Sequence, residues 1–479
     1  MTDAERGTTM TTVDHGGFRV SVPGDDAFDA ATQVFNLAAP ATPDAAVTAR
    51  TVDDVKAAIA CARSSRMRVR VHATGHAAPT AHPMTDALLI RTRLRGGVTV
   101  DPRRRVARVP AGTLWADVVA AAAEHGLAAP HGSSGTVGVV GYLLRGGMSF
   151  YGRYTGLAVN SVRAVELVTA DGTLRKVDAT TDPELFWALR GGGGGFGVVT
   201  AIEVALFPAS RVCTGAAFWP VRHAEQLLWR WRVWTVDAPR EATTSLQILT
   251  LPPLPEIPRE LTDGPVLCVD GAVLGTAGTD PTQEAEDLLS RLRAVAPPLL
   301  DTWQETEPAA VLRAHMDPEE PVPIVGDHLL LDEISDDGAA AFLGAVGEGS
   351  GSPLISASLR QLGGAFATPD PAGGVLDHLD GRYAYSGAGV ATDSETAAGI
   401  TEHCEKVRVA LRPWDTGRTV PSFVENRDQP QGHLAAEQIH AVDRVRARVD
   451  PTGLFSDDIA PGCYAAAAQN RPGRPPRCH

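Results

Sequence analysis

The chain has 479 residues and a 44% hydrophobic share, enough for roughly two to four domains with a sizeable core, which excludes wholesale disorder. Its formal net charge of −14 argues against a nucleic-acid or anionic-membrane partner, which would call for a basic face; a small organic substrate fits better. Lysine occurs only at Lys56, Lys176 and Lys406, and no G-x-x-x-x-G-K-[ST] run exists, so Schiff-base and Walker-type chemistry has few candidates.

In chain order, residues 1 to about 17 are polar and read as frayed. The opening Met1-Thr2-Asp3-Ala4-Glu5-Arg6 carries acidic residues and no apolar core of a signal segment, and no long apolar run follows, so a cytoplasmic protein without a membrane partner is expected. Cys61, Cys213, Cys268, Cys404, Cys463 and Cys478 are scattered with no C-x-x-C pair, which predicts reduced thiols, no metal site and no disulfide scaffold.

Ala46 to Arg50 reads as a strand, Thr51 to Asp54 as a capping box, and Val52, Val55 and Ile59 as the buried stripe of a helix. Met67, Val69 and Val71 alternate as a second strand, so a β-α-β unit delivers the chain into Thr74-Gly75-His76 at a strand's C-terminal end, where α/β ligand sites lie. A strand at Ala107 to Pro110 and a helix from Thr113 to Glu124 lead likewise into Pro130-His131-Gly132-Ser133-Ser134-Gly135. Val162 to Val168 and Leu174 to Val177, joined through Asp171-Gly172, form a hairpin signal. After Asp182-Pro183, a helix from Glu184 to Leu189 runs into the glycines 191–195.

From Ala209 the texture changes to longer amphipathic stretches alternating with strands, an α+β pattern. Trp229, Trp231 and Trp234 read as core or interface packing, Leu288, Leu289 and Leu292 as a helix face, and Leu251 to Pro258 as a proline-broken loop. A last helix from Ala435 to Arg448 places Ile439, Val442, Val445 and Val449 on one face, and its position suggests a return to the first domain.

The glycine turns suit one kind of ligand. A diphosphate is doubly negative, basic side chains are thin in these segments, and backbone N–H groups in turns and at helix N-termini then do the binding, which glycine permits by lacking Cβ. The rival Rossmann fold lacks its G-x-G-x-x-G with a following acidic residue.

The ordered set Val71-His72-Ala73-Thr74-Gly75-His76, residues 132–141, Gly146-Gly147 with Arg153 and Gly156-Leu157, residues 166–172, residues 182–193, Phe196 to Thr200, Leu359 to Ala365, and Asp450 to Phe455 resembles the FAD-linked oxidases of the berberine bridge enzyme type, among the vanillyl-alcohol-oxidase-like flavoproteins. The resemblance spans nearly the whole chain. It implies an α+β fold: a two-lobed PCMH-type FAD-binding domain from 18–208 and a C-terminal return at 416–468, with an α+β substrate domain at 209–415 whose antiparallel sheet is covered by helices. Residues 1–17 and 469–479 are the expected tails. By the resemblance, His76 carries FAD covalently, and Ala73, Thr74, Gly75 and Ala77 wrap the diphosphate. Ser134, Thr136, Val137, Gly138, Gly141, Tyr142, Gly146, Gly156, Asn160, Val199 and Ser422 complete the cofactor shell.

The chain departs from the family pattern in places. Ser134 stands where bicovalent members have cysteine, leaving a single covalent link; Asn160 replaces an aspartate, and Gly195 an asparagine. The Tyr-x-Asn pair that supplies or adjoins the family's base is replaced by Val420 and Ser422. Hydride transfer from a C–H bond needs the substrate's O–H or N–H proton removed. Tyr142, Tyr151, Tyr383 and Tyr385 are the phenols that remain, and Gln361 is expected to face the flavin and orient substrate. Tyr142, Gln361 and Tyr383 are therefore the catalytic candidates. The function implied is an FAD-dependent oxidoreductase that passes hydride from a small, secondary-metabolite-like alcohol or amine to flavin N5, with dioxygen yielding hydrogen peroxide. A non-oxidative cyclase or isomerase using FAD as scaffold is the alternative, and the assembly expected is a monomer or homodimer.

Overall fold

The computed structural model describes residues 14–15, 18–255, 257–429 and 432–456. The expected tails, apart from Asp14 and His15, and the end of the return segment lie outside the described residues.

The first lobe is a three-stranded parallel sheet in the order Ala45–Ala49, Ala87–Thr92, Arg68–His72. The helix Val52–Ser64 crosses between its first and last strands, capped as its sequence requires: Thr51 accepts from the Asp54 amide and Asp54 answers to the Thr51 amide. Such a box stabilises a helix by about 1 kcal/mol. Val55, Ala58, Ile59 and Ala62 bury one face of this helix against the sheet.

The second lobe is a five-stranded antiparallel sheet in the order Leu174–Asp178, Val162–Val168, Val198–Ala205, Val106–Pro110, Thr99–Asp101, with the helix Trp115–Ala123 beside it. The return helix, Ala436–Val449, packs on Pro183–Leu189, and its Val442 and Val445 share a core with Leu185 and Phe186. At its end Arg448 grips the cap residue Asp182 through both carboxylate oxygens, at 2.7 and 3.0 Å. Beyond the helix, the Leu454 carbonyl accepts from the Val69 amide of the first sheet.

The second half of the chain is one antiparallel sheet, whose main path runs Leu300–Asp301, Val212–Pro220, Val266–Leu274, Ala242–Leu249, Ser356–Gln361, Tyr383–Val390, Ile324–Leu331. Its helices, Ala224–Asp237, Pro281–Arg293, Asp336–Val346 and Ser394–Leu411, bury one face through Leu246, Ile248, Val269, Leu359 and Tyr385. Trp231 and Trp234 belong to that core, whereas Trp229 is exposed. Because strand side chains alternate with period two, the residues between these apolar ones point to the opposite face, toward the two smaller sheets.

No helix among the described residues is long and apolar enough to cross a membrane. Cys61, Cys213, Cys268 and Cys404 are buried free thiols.

Candidate active site

A cavity of about 1430 Å³ lies between the lobes and the open face of the large sheet. It exceeds the roughly 300–1,000 Å³ of a pocket for one drug-sized molecule. One wall is main chain. Gly75 sits at φ +76°, and a Cβ there would lie 2.7 Å from Val34. Among the described residues, no protein acceptor takes the backbone N–H of Thr74, Gly75, His76 or Ala77, and these residues line the cavity. Consecutive unpaired amides of this kind form an anion-binding concavity. A second glycine turn is held from behind: Arg446 of the return helix donates to the carbonyls of Gly192 and of Gly194, the latter at 2.9 Å, and lies 5.1 Å from the Phe196 ring. Gly193, Gly194 and Phe196 also line the cavity. These two turns fit a diphosphate-bearing group.

The His76 ring is stacked on Phe35, centroids 3.8 Å apart, and its Nε2 meets Thr136 Oγ1 at 3.1 Å; Ser134 Oγ lies 2.9 Å from that hydroxyl. Burial lowers the His76 pKa to about 4 against the opposing pull of Thr136 and Asp317, so the imidazole is neutral at pH 7.

The facing wall is the sheet. Gln247 and Leu249, Ser356, Ser358 and Arg360, then Ala384, Ser386 and Ala388 alternate into the cavity, joined by His315 and Asp317 from a loop and by Ser422, Phe423 and Glu425 from the C-terminal segment. Arg360 is buried between the rings of Phe150 and Phe423, at 4.3 and 5.5 Å, and its Nε donates to Ser245 Oγ at 3.2 Å. Ser422 Oγ accepts from the Gly147 amide at 3.2 Å, tying this segment to the Gly146-Gly147 turn. Burial raises the Glu425 carboxyl to about 7, with Arg145 opposing and Asp317 and Asp327 adding.

The expected site residues divide. Ala73, Thr74, Gly75, His76, Ala77, Ser134, Val137, Gly138, Gly141, Tyr142, Val199 and Ser422 line the cavity, and Thr136 reaches it through His76. Gly146, Gly156 and Asn160 do not line it; Asn160 donates to the Asp377 carbonyl at 2.7 Å and supports the wall from behind.

Two catalytic candidates are corrected. Gln361 shares its strand phase with Ala357 and Leu359 and points into the helix layer, bonded to Thr244 and the Thr235 carbonyl; Arg360, one residue earlier, faces the cavity. Tyr383 likewise faces the helices, its hydroxyl 2.6 Å from Thr235 Oγ1. Tyr142 does line the cavity, yet burial holds its phenol well above the ordinary range, so it is a hydrogen-bond donor at neutral pH and not a base. The same burial keeps Tyr151 and Tyr385 protonated.

Sequence reasoning missed Asp270, His315, Arg360 and Glu425. Two of them left a trace. Asp270 is the single charge in the apolar strand Val266–Leu274, and in Ser356 to Arg360 polar residues alternate with Ala357 and Leu359.

A main-chain anion cradle thus faces a sheet of polar side chains across one cavity. Residues 43–178 match the family model described as an FAD binding domain. A carbohydrate oxidase of Microdochium nivale is 28% identical over 217 residues, covering 44% of this chain and 43% of that protein. (R)-6-hydroxynicotine oxidase of Paenarthrobacter nicotinovorans is 33% identical over 193 residues, covering 40% and 42%. The sequence match thus spans less than half the length of either relative. The fold extends much further: BBE-like 1 of Physcomitrella patens superposes with a TM-score of 0.79 at 20% identity, covering 94% of this chain and 97% of that one. Residues 43–178 carry the likeness to an FAD binding domain, and the chain has the fold of the BBE-like FAD-linked oxidases, as its motifs implied.

Proposed function

We propose that the protein is an FAD-dependent oxidase that removes a hydride from a carbon bearing an O–H or N–H group, with dioxygen as final acceptor and hydrogen peroxide as product. One observation carries the reading: a single cavity has the amide cradle as one wall and ionisable side chains as the other. FAD supplies the two-electron acceptor when bound. The protein's residues do the rest. The amides of Thr74 to Ala77 hold the diphosphate, the sheet and the loop from Leu251 to Leu261 exclude water, and a base on the sheet face takes the proton.

Leu249, Leu251, Leu254, Ile257, Leu261 and Leu300 make one end of the cavity aliphatic. This supports a substrate with an apolar body, of the secondary-metabolite kind, over a sugar, which would meet few hydrogen-bond partners there.

His76 attaches the flavin through a single bond. Its imidazole is kept neutral by burial, and Thr136 occupies Nε2, which leaves the Nδ1 lone pair as nucleophile. Ser134 offers no thiolate for a second bond. After acid precipitation the yellow colour is expected to stay with the protein, and His76→Ala to yield only dissociable flavin; colour lost from the wild-type pellet refutes the covalent link.

The activity is tested by anaerobic titration with candidate apolar alcohols and amines. Flavin bleaching, followed in air by stoichiometric oxygen uptake and peroxide, is the expected result. A product of unchanged mass with no oxygen consumed would instead establish the cyclase or isomerase reading that the absent Tyr-x-Asn pair suggests.

A further inference from the structure

We infer that His315, oriented by Asp270 and Gln247, is the general base that takes the substrate's O–H or N–H proton; this rests on the oxidase reading above. Asp270 lies mid-strand in Val266–Leu274, between Val212–Pro220 and Ala242–Leu249, and is fully buried. A carboxylate there carries a penalty of several kcal/mol unless it is paired. Its Oδ2 meets His315 Nδ1 at 2.6 Å and accepts from Gln247 Nε2 at 2.7 Å. Gln247 Oε1 in turn accepts from Ser356 Oγ at 3.2 Å, which fixes the amide's orientation. An ionised carboxylate only accepts, so Nδ1 of His315 carries the hydrogen and Nε2 carries the lone pair.

Nε2 has no protein partner among the described residues, and the ring lines the cavity. The ring is held edge-on to Phe150 at 5.7 Å. His315 is delivered by the turn after Pro308–Arg313, and the next residue, Met316, sits at φ +56°, a left-handed conformation that costs a non-glycine residue roughly 1 kcal/mol or more. Burial favours the neutral imidazole; Asp270 from the sheet and Asp317 on its own loop outweigh it and favour the protonated form, while Arg360 from the neighbouring strand opposes them. Glu425 shares the cavity but has no side-chain hydrogen bond to orient it among the described residues.

The step balances. The O–H or N–H bond breaks and its proton goes to Nε2; the electron pair left on oxygen or nitrogen becomes the second bond to carbon; the C–H hydrogen leaves with its pair to the flavin, the two-electron oxidant. His315 touches the substrate in this scheme, and Asp270 positions it.

The test uses flavin-loaded wild type, His315→Gln, Asp270→Asn and Glu425→Gln, with anaerobic flavin reduction followed across the neutral pH range. General-base removal is expected to slow reduction by about 10²-fold or more in His315→Gln, with flavin content unchanged. Wild-type kcat/KM should rise with pH as His315 loses its proton, and Asp270→Asn should move that limb to lower pH because a group raising the imidazole pKa is gone. A low-field proton resonance from Nδ1–H is expected in the wild type and absent from both dyad variants, and this readout needs no turnover. A wild-type rate with the limb intact in His315→Gln, or the limb abolished only in Glu425→Gln, overturns the assignment. If product forms without flavin reduction, the oxidase reading fails separately. The dyad then stands if His315→Gln still slows product formation by that factor, and falls if it does not.

Discussion

The two walls of the cavity are built on opposite plans. The cradle wall binds through main chain: Thr74 to Ala77 present amides, and Gly75 earns its place by what it lacks. The sheet wall works through side chains: Asp270, His315, Arg360 and Glu425 hold its ionisable groups. Apart from His76, the cradle therefore tolerates changes of side chain but not added volume, whereas each role on the sheet hangs on one functional group.

Adding a methyl to the cradle should have the largest effect. Gly75→Ala places Cβ 2.7 Å from Val34 at a positive φ, so near-complete loss of flavin is expected, read from the visible spectrum of purified protein. A fully loaded Gly75→Ala protein would erase the contrast between the walls. Next comes Arg446→Gln, which strips two carbonyls of their charged donor; a loss of about 2–4 kcal/mol in denaturant unfolding of the apoprotein and clearly weaker FAD retention are expected.

On the sheet wall, Glu425→Gln sharpens the comparison through pH. The folded carboxyl is raised to about 7, so the folded state binds the proton more tightly than the unfolded one. Stability from this group is complete below the unfolded pKa and is lost as pH rises through about 7. Glu425→Gln should consequently melt higher than wild type at mildly alkaline pH, by an amount worth up to about 3 kcal/mol, and match it in acid. A constant offset across pH would show that the carboxyl is unperturbed. The smallest effect belongs to Tyr383→Phe, which removes a hydroxyl from the helix-facing side of the sheet. About 1 kcal/mol of stability and no change in kcat are expected, and a large fall in kcat would return Tyr383 to the active site.

The same contrast explains what could be read from the amino-acid order. The cradle was legible because its determinants are local: a capping box, a strand and a glycine turn follow one another from Thr51 to His76. The return helix was legible from its valine stripe. The sheet wall was not, since His315 meets Asp270 across 45 positions and Gln247 across 68, and a single sequence holds no sign of such pairings. Gln361 went astray for a simpler reason. It was assigned to the right strand and the wrong side, although Ala357 and Leu359, sharing its phase, already pointed to the core.

Arg446 also sets an order of events in the cell. The carbonyl it grips at Gly192 lies 254 positions earlier, so the ribosome releases the glycine turn long before it makes the residue that steadies it. Synthesis runs from the N-terminus at roughly 5–20 residues per second, and the turn waits on the order of ten seconds or more for its clamp. A chain truncated before the return helix would therefore carry the glycine turn without the arginine that holds it.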